Sequence, residues 1–360
     1  MKMKLKTASA LLLSFIMISG MVSGCKNTQK AEETTAKSGA TTETAQETTE
    51  KKLVMYSSSG DEMINSVTSL FKEKYGIEVE VIQGGTGELL ARLDAEKAKP
   101  YADVIFGGGE SSFTEYRDVF DDYVSENDKD LLDDFKNTTG FCTNFVLDGS
   151  VLVVNKNLIG DIKIKGYNDL LNPKLKGKIA SADPTSSSSA LMQVENILTD
   201  FGGLDKEEGW EYIKKLLVNI DGKLQSGSGA VWKSVADGEM LVGLTYEEAA
   251  LKLVKDGAPV EIVYPEEGTL FTAGTAGIIK NCPHPENAKL FIDFILSKEM
   301  QSVIGSQLGN RPVHKDAELS KNTLPTASIK TVVLDQAYIN EHKKDVVDKF
   351  KEVFENSLSK

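Results

Sequence analysis

Arginine is nearly missing from this 360-residue chain, occurring only as Arg92, Arg117 and Arg311. An anion bound here must be held mostly by backbone amides and hydroxyls, not by guanidinium forks. Positive charge is short overall. Forty-one Lys and Arg face 54 Asp and Glu, a formal charge of −13. Loss of Lys2, Lys4 and Lys6 with a leader segment would take it to −16. Such a field argues against nucleic acid and against a polybasic membrane patch. Only three cysteines occur, without C-x-x-C or Cys/His metal spacing, so a structural zinc is not expected. The three histidines, His284, His314 and His342, have no catalytic partner close in sequence, and no G-x-S-x-G elbow occurs. An activated serine nucleophile therefore lacks support, and neither catalysis nor a cofactor is expected.

Long apolar runs are confined to the N-terminus. "MKMKLK" followed by "ASALLLSFIMISGMV" is a charged n-region and an apolar stretch too short for a membrane span. It reads as a signal peptide over residues 1–24. Val22-Ser23-Gly24-Cys25 resembles a bacterial lipobox, which implies that Cys25 becomes a lipidated mature N-terminus outside the cytoplasmic membrane. A plain secretory signal with an incidental cysteine is the alternative. Residues 25–52 are rich in Thr, Glu, Ala and Lys, with no aromatic or large aliphatic side chain, and read as a disordered stalk. In an oxidising compartment Cys142 and Cys282 can form one disulfide.

From Leu53 onward, strand-like and helix-like segments alternate. "KLVMYS", "IEVEVIQ" and "ADVIFGGG" read as strands; "DEMINSVTSLFKEKYG" and "TGELLARLDAEKAKP" read as helices, with Thr86 as N-cap and Pro100 as a stop. This βαβαβ pattern predicts a parallel sheet with helices on both faces. A second unit follows, with strands predicted at "VLVVNKNLI", "GKIASADP", "DGKLQ", "EMLVGLTY" and "APVEIVYP". Lobe 1 is expected to comprise residues 53–150 plus 276–360, and lobe 2 residues 151–275.

What recurs is a strand end, then Ser, Thr or Gly, then a helix: "SSSGDE", "GGTGE", "PTSSSSA" and "QSGSGA". Each helix start exposes unpaired N–H groups and a partial positive charge, and hydroxyls add donors. Such a turn suits phosphate-like oxygens. One turn alone is explained by helix capping, worth about 1 kcal/mol. Four on rims that can face one another point to an anion site. "GLTYEEAA" sets Tyr246, Glu247 and Glu248 after an apolar strand. The acids either favour the helix dipole or meet the far end of a ligand. Arg311 either pins a loop through a backbone carbonyl or reaches the cleft. Trp210 and Trp232 read as packing residues.

"LVMYSSSGDE", "GGTGELLARLDAEKAKPYADVIFGGG", "DLLNPKLKGKIASADPTSSSSA", "GLTYEEAALKLVKDGAPVEIVYPEEGT" and "PHPENAKLFIDFILSKEMQ" together resemble ABC-transporter extracellular solute-binding proteins. The resemblance runs from Leu53 to about Ala317, to the group holding ferric-ion, phosphonate and sugar-phosphate binders. It implies an α/β, type II periplasmic-binding-protein-like fold. Two hinged lobes would close on a small ligand and deliver it to a membrane permease, with no catalysis and a monomeric protein. By position it implies Ser58, Ser59, Thr86, Thr185, Ser186, Ser187 and Ser228 at an anionic head group. Tyr246 and Glu247 would meet the other end. Iron binders of the group use paired adjacent tyrosines; here Glu247 follows Tyr246, which argues against iron in that manner. A ferric-ion binder using Tyr246 is the runner-up. A sensory receptor of the same fold is a third reading.

Overall fold

In the computed structural model, residues 51–334 and 336–358 are described. The leader, Cys25 and the body of the stalk lie outside them. The first unit is β1 (Lys52–Ser57), α1 (Asp61–Tyr75), β2 (Glu78–Gln83), α2 (Thr86–Glu96), β3 (Val104–Phe106) and α3 (Glu110–Glu115). β1 pairs in parallel with both β2 and β3, the arrangement expected from the alternation. α1 shows why these segments form. Asp61 and Glu62 sit at its positive end, and Lys72 and Lys74 at its negative end. Met63, Ile64, Val67 and Phe71 line its buried face. Gly76, at φ 66°, ends it in the left-handed region that side chains resist.

β4 (Thr143–Asn155) is thirteen residues long and nearly all buried. The second unit follows it: β5 (Ile179–Ala180), α4 (Ser188–Asp200), α5 (Glu207–Ile220), α6 (Ser228–Ala236), β6 (Val242–Tyr246), α7 (Glu247–Lys255) and β7 (Val260–Val263). β8 (Thr269–Ile278) leads back to α8 (Pro285–Leu296), α9 (Lys298–Val303), β9 (Arg311–Pro312) and β10 (Thr331–Val332), and α10 (Gln336–Leu358) closes the chain. The strand order is β2-β1-β3-β8-β4-β6-β5, with β10 on β8 and with β7 and β9 on β4. The predicted "DGKLQ" strand reduces to a single bridge, Ala182 with Gln225.

β4 and β8 are the crossing strands. The first half of β4 pairs with β8 and β9, and its second half with β6 and β7. Separate cores flank them. One joins Leu53, Phe71, Phe106, Phe291 and Ile304; another joins Leu152, Trp210, Leu216, Val346 and Phe350. The last two residues correct the expectation for the C-terminal tail. α10 packs chiefly on α5 in the second lobe, with a smaller contact to α3 of the first. Tyr338 donates to Asp205 at 2.5 Å and Lys349 to Glu207 at 2.8 Å. The physical reason is apolar: Val346 and Phe350 of α10 join Trp210, Ile213 and Leu216 of α5 in one core.

Both cysteines are buried free thiols, so the predicted disulfide is absent. They sit in different surroundings. Thr139 takes the Cys142 amide at 3.0 Å, while Cys282 follows Ile279 beside the Asp103–His284 pair. Burial pushes each thiol up to about 12, far from a reactive thiolate.

Glu195 on α4 is 8% exposed, and burial raises its pKa to about 7. In the unfolded chain a glutamate ionises near pH 4.3. Between these values the unfolded state releases a proton that the native state keeps, so stability falls as pH rises. Asp200, also pushed up to about 7 by burial, acts in the same direction. Glu195→Gln is expected to match wild type below about pH 4 and to be more stable above about pH 7. Urea unfolding at both pH values checks this. Equal stability at the higher pH would place Glu195 in water.

Candidate functional site

The rims of both lobes end at the crossing strands. Phe106, the last residue of β3, pairs with Ala276, which also faces Thr143 on β4. Tyr246, the last residue of β6, pairs with Ser150 on the same strand. Seven residues of β4 separate these points, roughly 23 Å at 3.3 Å per residue. Ligands in open α/β sheets bind beyond such carboxyl ends of strands. Across the lobes, the start of α1 approaches α7: Glu62 lies 3.7 Å from Lys255, and its charge adds to the raised pKa of Glu248.

Lobe 1 gathers three turns into one cluster. The Thr86 hydroxyl bonds to the Ser58 hydroxyl at 3.0 Å. Ser58 N–H and Ser57 Oγ both donate to Phe106 O, at 3.2 and 2.8 Å. Gly107 and Gly108 lie at φ 102° and 105°. A Cβ on Gly107 would stand 2.7 Å from Ser59 Oγ and 2.8 Å from Ser58 Oγ; one on Gly108 would stand 2.6 Å from Thr86 Cγ2. The glycines therefore let the β3 turn approach the hydroxyls. Gly85, not Thr86, is the N-cap of α2, which leaves the Thr86 hydroxyl for Ser58.

Lobe 2 aligns three turns as well. Asp183 N–H bonds to Gln225 O at 3.1 Å, which sets the serine run beside the turn that leads to Ser228. β5 lies parallel to β6, so Tyr246 leaves the same edge. Within the run, Asp183 takes several donors. Its carboxylate accepts from Thr185 N–H at 2.8 Å, and its carbonyl from Ser186 and Ser187 N–H at 3.2 and 2.9 Å. Ser187 caps α4 through Ala190 N–H and is buried. The expected amide donors at 185–187 are thus engaged inside the turn. The Thr185 and Ser186 side chains stay exposed, and the α4 start at Ser188 and Ser189 brings two further amides. Both serines belong to the "PTSSSSA" turn but not to the residues the resemblance implies at the head group; their place in the first helical turn is the signal for them.

Tyr246 is half-buried, and burial, then Glu248 and Asp148, raise its pKa. Glu248 is exposed by area, yet burial is also the largest cause of its raised pKa, as for a side chain that water reaches through a crowded opening. Its amide donates to Asp148 Oδ1 at 3.3 Å. Burial, then Glu248 and Glu247, holds the Asp148 carboxyl well above the usual range. Glu110, which opens α3, is half-buried, and burial raises its pKa against a hydrogen bond from Asn144.

Glu247 does not take the ligand-facing place expected of it. It is 1% exposed and both its oxygens are bound by Arg311. Arg311 in turn does more than pin a loop through a carbonyl. His284 also gains a partner that sequence distance hid: its Nδ1 lies 2.9 Å from Asp103 Oδ2. That carboxylate also holds the amides of Val54 and His284, a structural role. A cavity of about 20 Å³ behind Ser181 is too small for a solute, and one of about 430 Å³ runs along α5 at Glu211, Lys214 and Val218.

Two α/β lobes on two crossing strands, with helix starts along their strand ends, define the type II periplasmic binding protein class. The chain belongs to the bacterial extracellular solute-binding protein family, matched over residues 66–330. An uncharacterized protein of Haemophilus influenzae is 30% identical over 266 residues, 71% of this chain and 76% of its own. A putative 2-aminoethylphosphonate-binding periplasmic protein of Salmonella typhimurium is 25% identical, over 68% of this chain and 72% of its own. Among solved structures, the periplasmic binding protein AfuA of Actinobacillus pleuropneumoniae, with fructose 6-phosphate bound, superposes with a TM-score of 0.71 at 27% identity. That match covers 84% of this chain and 98% of AfuA.

Proposed function

We propose that the protein is the solute-binding component of an ABC importer and captures a small phosphonate or phosphate ester between its lobes. The observation that carries this reading is the first-lobe cluster of Ser58, Ser59 and Thr86 around Gly107 and Gly108. Hydroxyls and helix-start amides suit phosphoryl oxygens, and they act locally inside an acidic protein. Thr185, Ser186 and Ser228 face them from the second lobe, with Ser187 shaping the turn. Tyr246, with Glu248 beside it, meets the other end of the solute. Cys25 as lipid anchor and residues 26–52 as tether complete the proposal, with the permease as partner.

The phosphonate named for the Salmonella relative and the sugar phosphate bound to AfuA belong to the same anion class. A ferric ion fits the residues less well. Glu247 stands where the iron binders of the group carry a second tyrosine, and Arg311 occupies both its oxygens.

Titration calorimetry with 2-aminoethylphosphonate, fructose 6-phosphate and ferric citrate tests the reading. Heat is expected from at least one of the first two. Ser58→Ala removes a donor to a charged group and should weaken binding by about 1–3 kcal/mol, roughly 5- to 150-fold. A visible tyrosinate band with ferric ion, and no heat from either organophosphate, would sink it.

A further inference from the structure

We propose that Arg311 is a positioning residue of the cleft: a first-lobe guanidinium that grips Glu247 of the second lobe and so sets the Tyr246–Glu248 turn against the crossing strands. This goes beyond the solute reading and holds whichever solute is bound. Arg311 lies on β9, opposite Leu147 of β4 and one residue from Asp148. Its chain neighbour Val313 belongs to the first-lobe core with Met300 and Ile304. Glu247 opens α7, whose Leu253 packs in the second lobe with Val153 and Val231.

The grip is two-pronged. Arg311 Nε donates to Glu247 Oε2 at 2.9 Å and Nη2 to Oε1 at 2.5 Å. Nη1 donates to Thr326 Oγ1 at 2.7 Å, and the Tyr264 hydroxyl donates to Glu247 Oε1 at 2.5 Å. The guanidinium carbon lies 4.9 Å from the Phe271 ring centre, on β8. One charge pair thus touches both crossing strands and both lobes. Its side chains are 0% and 1% exposed.

Stability alone does not account for such a pair. Removing two charges from water costs about as much as their attraction returns, and apolar residues of similar size often do as well. A bidentate fork instead supplies direction: it fixes the distance and the angle between the elements that carry its halves. Those halves flank the cleft. Tyr246 and Glu248 adjoin Glu247, and Asn310, next to Arg311, bonds to Glu248. Beside the hinge, where relative motion is least, the fork can persist as the lobes open. A second ion pair between the lobes, Lys255 with Glu62 at 3.7 Å, is more than half exposed on both sides and lacks this rigidity.

The test uses Arg311→Lys, which keeps the charge but loses the fork, and an apolar triple variant, Arg311→Met with Glu247→Leu and Tyr264→Phe. Asp103→Asn is the control: it loosens a buried contact within lobe 1, away from the cleft. Hydrogen exchange of the solute-free protein should rise in peptides covering residues 244–251 and 145–150 for Arg311→Lys and for the triple variant, and not for Asp103→Asn. Affinity for 2-aminoethylphosphonate should fall at least tenfold in both Arg311 variants, even where the triple variant recovers the wild-type melting temperature. Wild-type exchange over 244–251 in Arg311→Lys would overturn the proposal. An equal loss of affinity in Asp103→Asn at an equal loss of melting temperature would also overturn it. If wild type does not bind 2-aminoethylphosphonate, that probe bears on the solute reading, and the exchange pattern alone decides the role of Arg311.

Discussion

Gly108→Ala is expected to abolish solute binding while leaving the protein folded. The residue sits at φ 105°, where an alanine is strained by about 1–3 kcal/mol. Its new Cβ would meet Thr86 Cγ2 at 2.6 Å and the Phe113 ring at 3.1 Å. Phe113 is fully buried and has little room to move, so Thr86 must turn away. That takes the Thr86 hydroxyl from Ser58 and pushes the β3 turn off the rim. A loss of at least about a hundredfold in affinity follows, near 2.7 kcal/mol. Gly60→Ala is the control, because nothing lies within 4 Å of its Cβ position. Calorimetry and thermal melting of both variants check the contrast. Affinity within threefold of wild type for Gly108→Ala would remove the β3 turn from the site.

Phe350→Ala should cost about 3–5 kcal/mol, the range for emptying a buried aromatic site. Phe350 is 5% exposed and shares a core with Trp210, Ile213 and Leu216 of α5. The loss should appear as increased hydrogen exchange in α5 and α10, with α1 and α8 little changed. Urea unfolding gives the magnitude, and exchange mass spectrometry gives the location. Increased exchange in α1 and α8 instead would return the C-terminal helix to the first lobe.

Much of this architecture is local in origin and could be read early. The run from Lys52 to Phe106 alternates strand and helix periods, with acids opening α1 and Gly76 closing it. A parallel β2-β1-β3 sheet follows, and with it the placing of Ser58, Thr86 and Gly107 on one edge. The turn into α4 was legible for the same reason, since a strand end followed by serines and an apolar period marks a helix start.

Other features depended on partners far away in the chain. Tyr246-Glu247-Glu248 reads as three consecutive polar residues after a strand, and nothing local tells them apart. Arg311, 64 residues on, holds the middle one inward, while Tyr246 is half-buried and Glu248 exposed. Cys142 and Cys282 were two thiols with no local reason to stay apart; the fold buries them against different neighbours. α10 carries an apolar stripe that names no partner locally, and the core it shares with Trp210, Ile213 and Leu216 of α5 decided its place.

The sequence by itself therefore determined the strand–helix alternation, the small-residue turns and a site poor in arginine. Each follows from side-chain period, backbone freedom or composition, which neighbouring residues set between them. Tertiary structure decided which turns lie side by side, which serine amides remain outside the Asp183 turn, and which acid belongs to Arg311. Those outcomes rest on burial and charge pairing between segments distant in sequence, and such energies have no local signature in the chain.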